Sequence, residues 1–157
     1  MAQLKPVDEA LSEILAHAKP ISGEMIELTQ ASNRTLAEPV VALTSQPPFN
    51  GSAMDGYALK ASDGTKGTVL KNIGVAAAGT PFDRPLAKGE CARIYTGGEL
   101  PQGADSVIMQ EKVTIEGDQI TLQDDVTDGQ NVRLKGNDFT KDQTIAQAGK
   151  CLNPFDI

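Results

Sequence analysis

From Thr68 to Leu122 the sequence alternates short β-forming runs with glycine and proline, and this pattern constrains the fold more than any other feature. The runs are TVLKNIGVAAAG, CARIYT and SVIMQE, and VTIEGDQITL follows them. In the last run, apolar residues alternate on both sides of a two-residue Gly117-Asp118 turn, which is typical of a β-hairpin. We therefore predict a strand-rich middle of the chain.

A helix is predicted near the N-terminus. Its apolar residues recur at spacings of three and four: Val7, Ala10, Leu11, Ile14, Leu15 and Ala18. Pro6 suits the first helical position, and Pro20 is expected to end the helix. We expect the apolar face to pack against another part of the protein.

The fold class predicted from these elements is α+β. Residues 1–43 together with 131–157 would form a small helix-containing lobe for linking or dimerisation, and residues 44–130 a β-rich lobe inserted between them. In the small lobe we predict a short helix at residues 30–32, with Thr29 as N-cap and Asn33 closing it in a left-handed conformation. The final Pro-containing stretch, NPFDI, suggests that the chain is part of a longer protein.

Charge and cysteine content exclude several classes of protein. A net charge of −7 argues against binding to duplex nucleic acid and against docking on an anionic membrane. No apolar run approaches the length of a membrane span, so we expect a cytoplasmic protein without membrane association. Cys91 and Cys151 are not in a C-x-x-C motif, and with a single histidine they cannot assemble a zinc site. Two buried free thiols are expected.

The first of three candidate segments is PPFNGSAMDGYAL, residues 47–59. Glycines on both sides of Ser52 and Asp55 would let a ligand approach closely, and Asp55 could hold Mg²⁺. The alternative is that Asp55 belongs to a turn and that Met54 fills the core.

The second segment is YTGGELPQGADSVIMQE, residues 95–111. Thr96 with the amides of Gly97 and Gly98 could form an anion-binding nest. The alternative is a glycine-rich connection whose acidic residues are solvated, with Asp105 as a turn cap.

The third segment, residues 131–157, begins NVRLKGNDF. Arg133 and Lys135 are a closely spaced basic pair near an acid, Asp138. An ion pair is the role that we expect for them, and surface pairs contribute little to stability.

Together and in this order, these segments resemble the N-terminal part of the molybdopterin molybdenumtransferase family, the MoeA family, which is related to the E domain of gephyrin. PPFNGSAMDGYA, TGGELPQGADSVIMQE and NVRLKGNDF each resemble one of its motifs. Each motif alone is weakly specific, but three in order over essentially the whole chain are specific.

The resemblance implies a Mg²⁺-assisted enzyme that inserts molybdate into adenylylated molybdopterin and releases AMP. It also implies a homodimer whose active site is shared between subunits, with molybdopterin adenylyltransferase as a further partner. The pterin-binding and C-terminal β domains of the family lie outside this chain. We therefore expect the chain alone to be inactive.

Site residues are carried over by position in the motifs. Asp55 and Thr96 match catalytic positions, and Asp55 is also the expected metal ligand. Ser52, Gly97 and Asp138 match substrate-binding positions.

The sequence departs from the family pattern at several places. Asn50-Gly51, Gly98 and Asn137 replace other common residues, and Asn137 puts an acidic role at that position in doubt. The second function hypothesis is a non-catalytic dimerisation or partner-docking module of the gephyrin type, in which the N-terminal helix and the tail form the contact surface.

Overall fold

A computed structural model describes residues 4–19 and 21–157, and that part of the chain is mostly strand with a single α-helix. The α-helix is α1 (Val7–His17), and three short 3₁₀ helices cover Leu28–Gln30, Ala61–Asp63 and Gln110–Lys112. The strands are β1 (Val40–Val41), β2 (Gly51–Ser52), β3 (Gly56–Leu59), β4 (Val69–Ala76), β5 (Glu90–Ile94), β6 (Ser106–Met109), β7 (Val113–Glu116), β8 (Gln119–Leu122), β9 (Val132–Arg133) and β10 (Thr144–Ala146).

The chain divides into two compact units. One comprises Met1–Pro39 and Ala146–Ile157, and the other comprises Val40–Ile145. The boundaries predicted from sequence, at residues 44 and 130, stay a prediction.

A six-stranded sheet, in the order β6-β3-β5-β4-β8-β7, forms the larger unit. Its pairs are antiparallel except β4 with β5, which run parallel. The predicted hairpin is confirmed: Val113 lies opposite Leu122, and Ile115 lies opposite Ile120. Gly117 takes a φ of 64° in the turn between them, a conformation that glycine adopts without steric cost. Two small two-stranded sheets pair β1 with β10 and β2 with β9.

The core lies on both faces of the sheet, which explains why β3 is buried along its whole length. Tyr57 and Leu59 belong to one apolar cluster and Ala58 to the other, as the two-residue period of a strand requires. Cys91 lies in the first cluster, and burial raises the pKa of its thiol to about 12. Cys151 is exposed, so the prediction of two buried thiols is wrong for that residue.

Helix α1 begins one residue later than predicted, because Pro6 has an extended ψ of 147° and is the N-cap. It ends at His17, and Pro20, the predicted terminator, lies outside the described residues. No residue of α1 is buried, so the expected packing of its apolar face is not found among the residues that the structure describes. Among the described residues, no helix has the length and apolar character needed to span a membrane.

The 3₁₀ helix Leu28–Gln30 begins earlier than predicted, with Glu27 instead of Thr29 as its N-cap. The left-handed conformation predicted for Asn33 is confirmed by its φ of 62°.

Candidate functional site

Strand β2 brings the three candidate segments together. On one side it pairs with β9, which places Gly51 opposite Arg133 and Ser52 opposite Val132. On the other side Gly51 forms an antiparallel bridge with Glu99. The segments that sequence analysis singled out are therefore adjacent in space, although about 80 residues separate the first from the last.

Backbone hydrogen bonds fix this arrangement. The N–H of Ser52 donates to the carbonyl of Gly98 over 2.9 Å, and the N–H of Gly97 donates to the carbonyl of Ser52 over 2.8 Å. On the opposite side, the N–H of Lys135 donates to Asn50 Oδ1 over 2.9 Å. The loop that carries Asp55 is thus held between two neighbouring segments.

Asp55 and Thr96 are in direct contact. Oδ1 of Asp55 accepts one hydrogen bond from the backbone N–H of Thr96 and one from its hydroxyl, each 2.8 Å long. Both residues are exposed, so the pair faces solvent. The structure therefore brings together the two residues predicted to be catalytic, Asp55 and Thr96.

The electrostatic surroundings keep Asp55 ionised. Its pKa lies below the ordinary value, chiefly because the Thr96 N–H donates to the carboxylate, with further contributions from the Thr96 hydroxyl and the positive charge of Arg93. Desolvation acts in the opposite direction and raises the pKa, by more than the charge of Arg93 lowers it. Asp55 is therefore a carboxylate at neutral pH, which suits a cation ligand or an acceptor that orients water.

The amides expected to form an anion nest already have acceptors in this structure. The N–H groups of Thr96, Gly97 and Gly98 donate to Asp55 Oδ1, the Ser52 carbonyl and the Tyr95 carbonyl, respectively. The carboxylate of Asp55 thus occupies the position at the Thr96 amide where an anionic ligand would bind. Gly97 still leaves open space, because no described atom beyond its two chain neighbours lies within 4 Å of where its Cβ would be.

Ser52 is buried, and its side chain turns back into its own loop. Its hydroxyl donates to the carbonyl of Met54 over 2.5 Å. Met54 itself is exposed, so the alternative that it fills the core is wrong.

Asp138 forms the ion pair expected from the sequence. Nη2 of Arg133 lies 2.8 Å from Oδ1 and 2.6 Å from Oδ2 of Asp138. Asp105 accepts hydrogen bonds from the N–H of Ala61 and the hydroxyl of Ser106, and its role as a turn cap stays a prediction.

Sequence analysis missed one residue beside the site, Arg93. Its guanidinium lies near Asp55 and over the rings of Tyr57 and Tyr95. The available signal was the alternation in CARIYT, which places Arg93 and Tyr95 on one face of a strand.

The donor set around Asp55 can be tested against Mg²⁺, which is held in proteins through one or two carboxylates together with phosphate oxygens and water. Oδ1 of Asp55 accepts two hydrogen bonds, whereas Oδ2 accepts none from a residue that the structure describes. Within residues 4–19 and 21–157, no three His, Cys, Asp or Glu side chains gather into a metal-binding group. Asp55 therefore fits Mg²⁺ as a single carboxylate ligand.

Comparison with known proteins gives consistent matches over nearly the whole chain. The model of the family described as "MoeA N-terminal region (domain I and II)" matches residues 5–157. A molybdopterin molybdenumtransferase from Haemophilus influenzae is 36% identical over 153 residues, which cover 96% of this chain and 38% of that protein. A protein of the same name from Staphylococcus aureus is 30% identical, and the match covers 95% of this chain and 37% of that protein.

The fold is similar to that of a solved structure. The crystal structure of the molybdopterin biosynthesis moeA protein from Pyrococcus horikoshii superposes with a TM-score of 0.85 at 35% sequence identity. The match covers 98% of this chain and 42% of that one. The chain therefore spans less than half the length of the proteins it matches.

Proposed function

The chain belongs to the family described as the MoeA N-terminal region, and on that premise we propose that it is the N-terminal part of a molybdenum cofactor biosynthesis enzyme. The reaction that we propose for the whole enzyme inserts molybdate into adenylylated molybdopterin and releases AMP. The names of the relatives and the three motifs in order support this proposal. The chain would supply one wall of a site whose remaining residues come from another domain.

The oriented carboxylate of Asp55 is the observation that carries the proposal. Two hydrogen bonds from Thr96 fix the rotation of this side chain and lower its pKa, while Oδ2 accepts no hydrogen bond from a described residue. In this arrangement Asp55 orients a water molecule or holds a cation, and Thr96 orients Asp55. Mg²⁺, when bound, would neutralise negative charge on the phosphate oxygens of the substrate.

The other site residues have proposed roles that follow from their places around β2. Gly97 leaves space for a substrate oxygen to approach the loop. Ser52 holds the turn that carries Asp55, and Asp138 holds the exposed guanidinium of Arg133, which can attract an anionic substrate. Because the net charge is −7, we propose that most of the cations that bind molybdate and phosphate come from the other wall.

Replacement of Asp55 by asparagine tests the catalytic proposal. The variant is made in a protein of the relatives' full length that carries this chain at its N-terminus, and AMP release and molybdenum insertion are measured at micromolar molybdate. We expect a loss of at least about a hundredfold, the usual effect of removing a positioned acid–base or electrostatic group.

Asp118→Asn is the matched control. It removes the same charge at the tip of the β7–β8 hairpin, where the Asp118 carboxylate lies 3.9 Å from Lys71 Nζ and makes no other ion pair with a described residue. Wild-type activity in Asp55→Asn would refute the catalytic role, whereas an equal loss in both variants would point to a general effect of charge.

We also propose a homodimer formed through α1, because four large apolar side chains of this helix remain exposed. The exposed fractions of Val7, Leu11, Ile14 and Leu15 lie between 51% and 81%. Exposed apolar stripes of this kind are typical of interaction surfaces. This observation also favours the alternative function, a non-catalytic dimerisation or docking module, for which molybdopterin adenylyltransferase is a proposed partner.

The lobed arrangement predicted from the sequence belongs to the same proposal. A small lobe containing the helix would mediate dimerisation, and the strand-rich lobe would present Asp55 to the partner subunit.

A further inference from the structure

Arg93 is held at the centre of an aromatic and polar cluster beside the candidate site. It lies in β5 opposite Tyr57 of β3, and its Cζ is 5.2 Å from the centre of the Tyr57 ring. Tyr95 follows directly after the last residue of β5, and its ring centre lies 5.0 Å from the same Cζ. Two aromatic rings thus fix the plane of one guanidinium, at distances typical of cation–π contacts.

The guanidinium also donates hydrogen bonds to two different segments. Nη1 donates to the carbonyl of Gly56 over 3.3 Å, and Nη2 donates to the side-chain oxygen of Gln110. The backbone N–H of Gln110 in turn donates to the carbonyl of Asp55 over 3.1 Å. Arg93 is therefore connected to the peptide groups of both Asp55 and Gly56.

We propose that Arg93 is a positioning residue for Asp55, a role that rests on the proposed function of Asp55 as a site carboxylate. By holding Gly56 directly and Asp55 through Gln110, it fixes the backbone from which the carboxylate extends toward Thr96. The planar fork of arginine can serve both acceptors at once while it stacks on the tyrosines, which the single ammonium of lysine cannot do.

A purely structural role for Arg93 makes a different prediction. Arg93 joins β5 to β3 and to the 3₁₀ helix Gln110–Lys112 that follows β6, so its loss could weaken the whole sheet. In that case all the backbone amides of the sheet would lose protection from hydrogen exchange together. A positioning role instead affects only the amides that depend on the Asp55 loop, since local opening is independent of global unfolding.

Site-resolved amide hydrogen exchange of this chain, measured by NMR, distinguishes the two roles. The variants are Arg93→Gln and Arg93→Lys, and the informative amides are those of Thr96, bonded to Asp55 Oδ1, and Gln110, bonded to the Asp55 carbonyl. We expect Arg93→Gln to accelerate exchange at both by about fivefold or more, the effect of about one lost hydrogen bond. In Arg93→Lys, both amides should exchange more slowly than in Arg93→Gln but faster than in the wild type.

The Leu122 amide, which donates to the Thr68 carbonyl, is the internal reference and should change less than about twofold. Arg84→Gln is the matched control variant, because Arg84 makes a two-point ion pair with Glu90 away from Asp55. It should leave the Thr96 and Gln110 amides unchanged. Unchanged exchange in Arg93→Gln, or equal acceleration at Leu122, would overturn the proposal.

A second variant keeps the proposal testable if Arg93→Gln does not fold. Gln110→Ala removes an exposed side chain and one of the two connections, and it should accelerate exchange of the amide at position 110 while Leu122 is unaffected. Activity separates this inference from the proposed function. If Asp55→Asn abolishes turnover while Arg93→Gln keeps wild-type turnover, positioning by Arg93 is refuted. If Asp55→Asn is itself active, the proposed function is refuted, and the exchange experiment still tests the role of Arg93.

Discussion

Asp55 and Thr96 form a hydrogen-bonded pair in which one carboxylate oxygen accepts hydrogen bonds from both donors of the threonine. The backbone N–H and the hydroxyl of Thr96 each lie 2.8 Å from Asp55 Oδ1. The second carboxylate oxygen remains available, because the two donors converge on the first. The chain thus presents an ionised carboxylate of fixed orientation at its surface, which is the chemical property on which the proposed function depends.

Replacement of Thr96 by valine should raise the pKa of Asp55 toward its ordinary value of 3.8. The variant removes the hydroxyl donor and keeps the backbone donor, so one of the two groups that stabilise the charged form is lost. The measurement is a titration of the Asp55 carboxyl carbon by NMR. We expect the midpoint to move upward.

Thr96→Ser is the control for this titration, because it keeps the hydroxyl and loses only a methyl group. Its Asp55 pKa should remain close to that of the wild type. If Thr96→Val leaves the pKa unchanged or lowers it, the hydroxyl does not support the charge of Asp55.

Gly56→Ala should destabilise the chain by about 3 kcal/mol, at the upper end of the effects of overpacking. A Cβ at position 56 would lie 1.9 Å from the carbonyl oxygen of Ile108, which is backbone and cannot rotate away. Gly51→Ala is the control, since its nearest contact would be an ordinary 3.5 Å. Urea unfolding of both variants measures the difference, and equal stabilities would contradict this account of Gly56.

Features set by local sequence were predicted well. The β7–β8 hairpin follows from the alternation on both sides of Gly117-Asp118, and the left-handed Asn33 follows from the tolerance of asparagine for that conformation. The three candidate segments were also singled out by local signals, glycine next to short polar side chains in the first two and a basic pair near Asp138 in the third, and the structure places them side by side at β2.

Features set by distant pairing could not be predicted. The order β6-β3-β5-β4-β8-β7 and the parallel pairing of β4 with β5 depend on contacts between strands far apart in the chain. Arg93 was overlooked for the same reason: its neighbours Tyr57 and Gln110 come from other strands and turns. The packing expected for α1 was inferred from its apolar stripe alone, and a stripe does not specify which molecule covers it.

The exposed face of α1 makes a prediction about association. If a second copy of the chain covers it, Leu11→Asp should weaken the dimer by about tenfold or more, because the free energy of burying a leucine side chain is lost. Sedimentation equilibrium over a range of protein concentrations measures the effect.

Ser12→Asp places the same charge one residue further along, on the polar side of the helix, and should leave association unchanged. A wild-type chain that stays monomeric at the highest concentration would exclude this face as a self-association surface. A dimer that resists Leu11→Asp would locate the contact elsewhere.

Glu90 and Arg84 provide a pH-dependent contribution to stability. Arg84 Nη1 and Nη2 lie 2.9 and 3.1 Å from the two Glu90 oxygens, and the N–H of Ala87 donates to the same carboxylate. The Arg84 hydrogen bond is the main reason why the pKa of Glu90 lies below its ordinary value of 4.5. A group whose pKa is lowered by folding stabilises the folded state above the unfolded pKa, and this stabilisation is lost as the pH falls through the folded pKa.

Glu90→Gln should therefore lower the unfolding temperature at pH 7, and the difference from the wild type should shrink as the pH falls below the ordinary pKa of 4.5. Thermal unfolding followed by circular dichroism between pH 7 and pH 3 measures this difference. Glu116→Gln removes the same charge from the β7–β8 hairpin, where Glu116 makes no ion pair with a described residue. Its effect should be small at every pH. A Glu90→Gln difference that stays constant over the whole range would show that the carboxylate stabilises the fold by its shape and neutral hydrogen bonds instead of its charge.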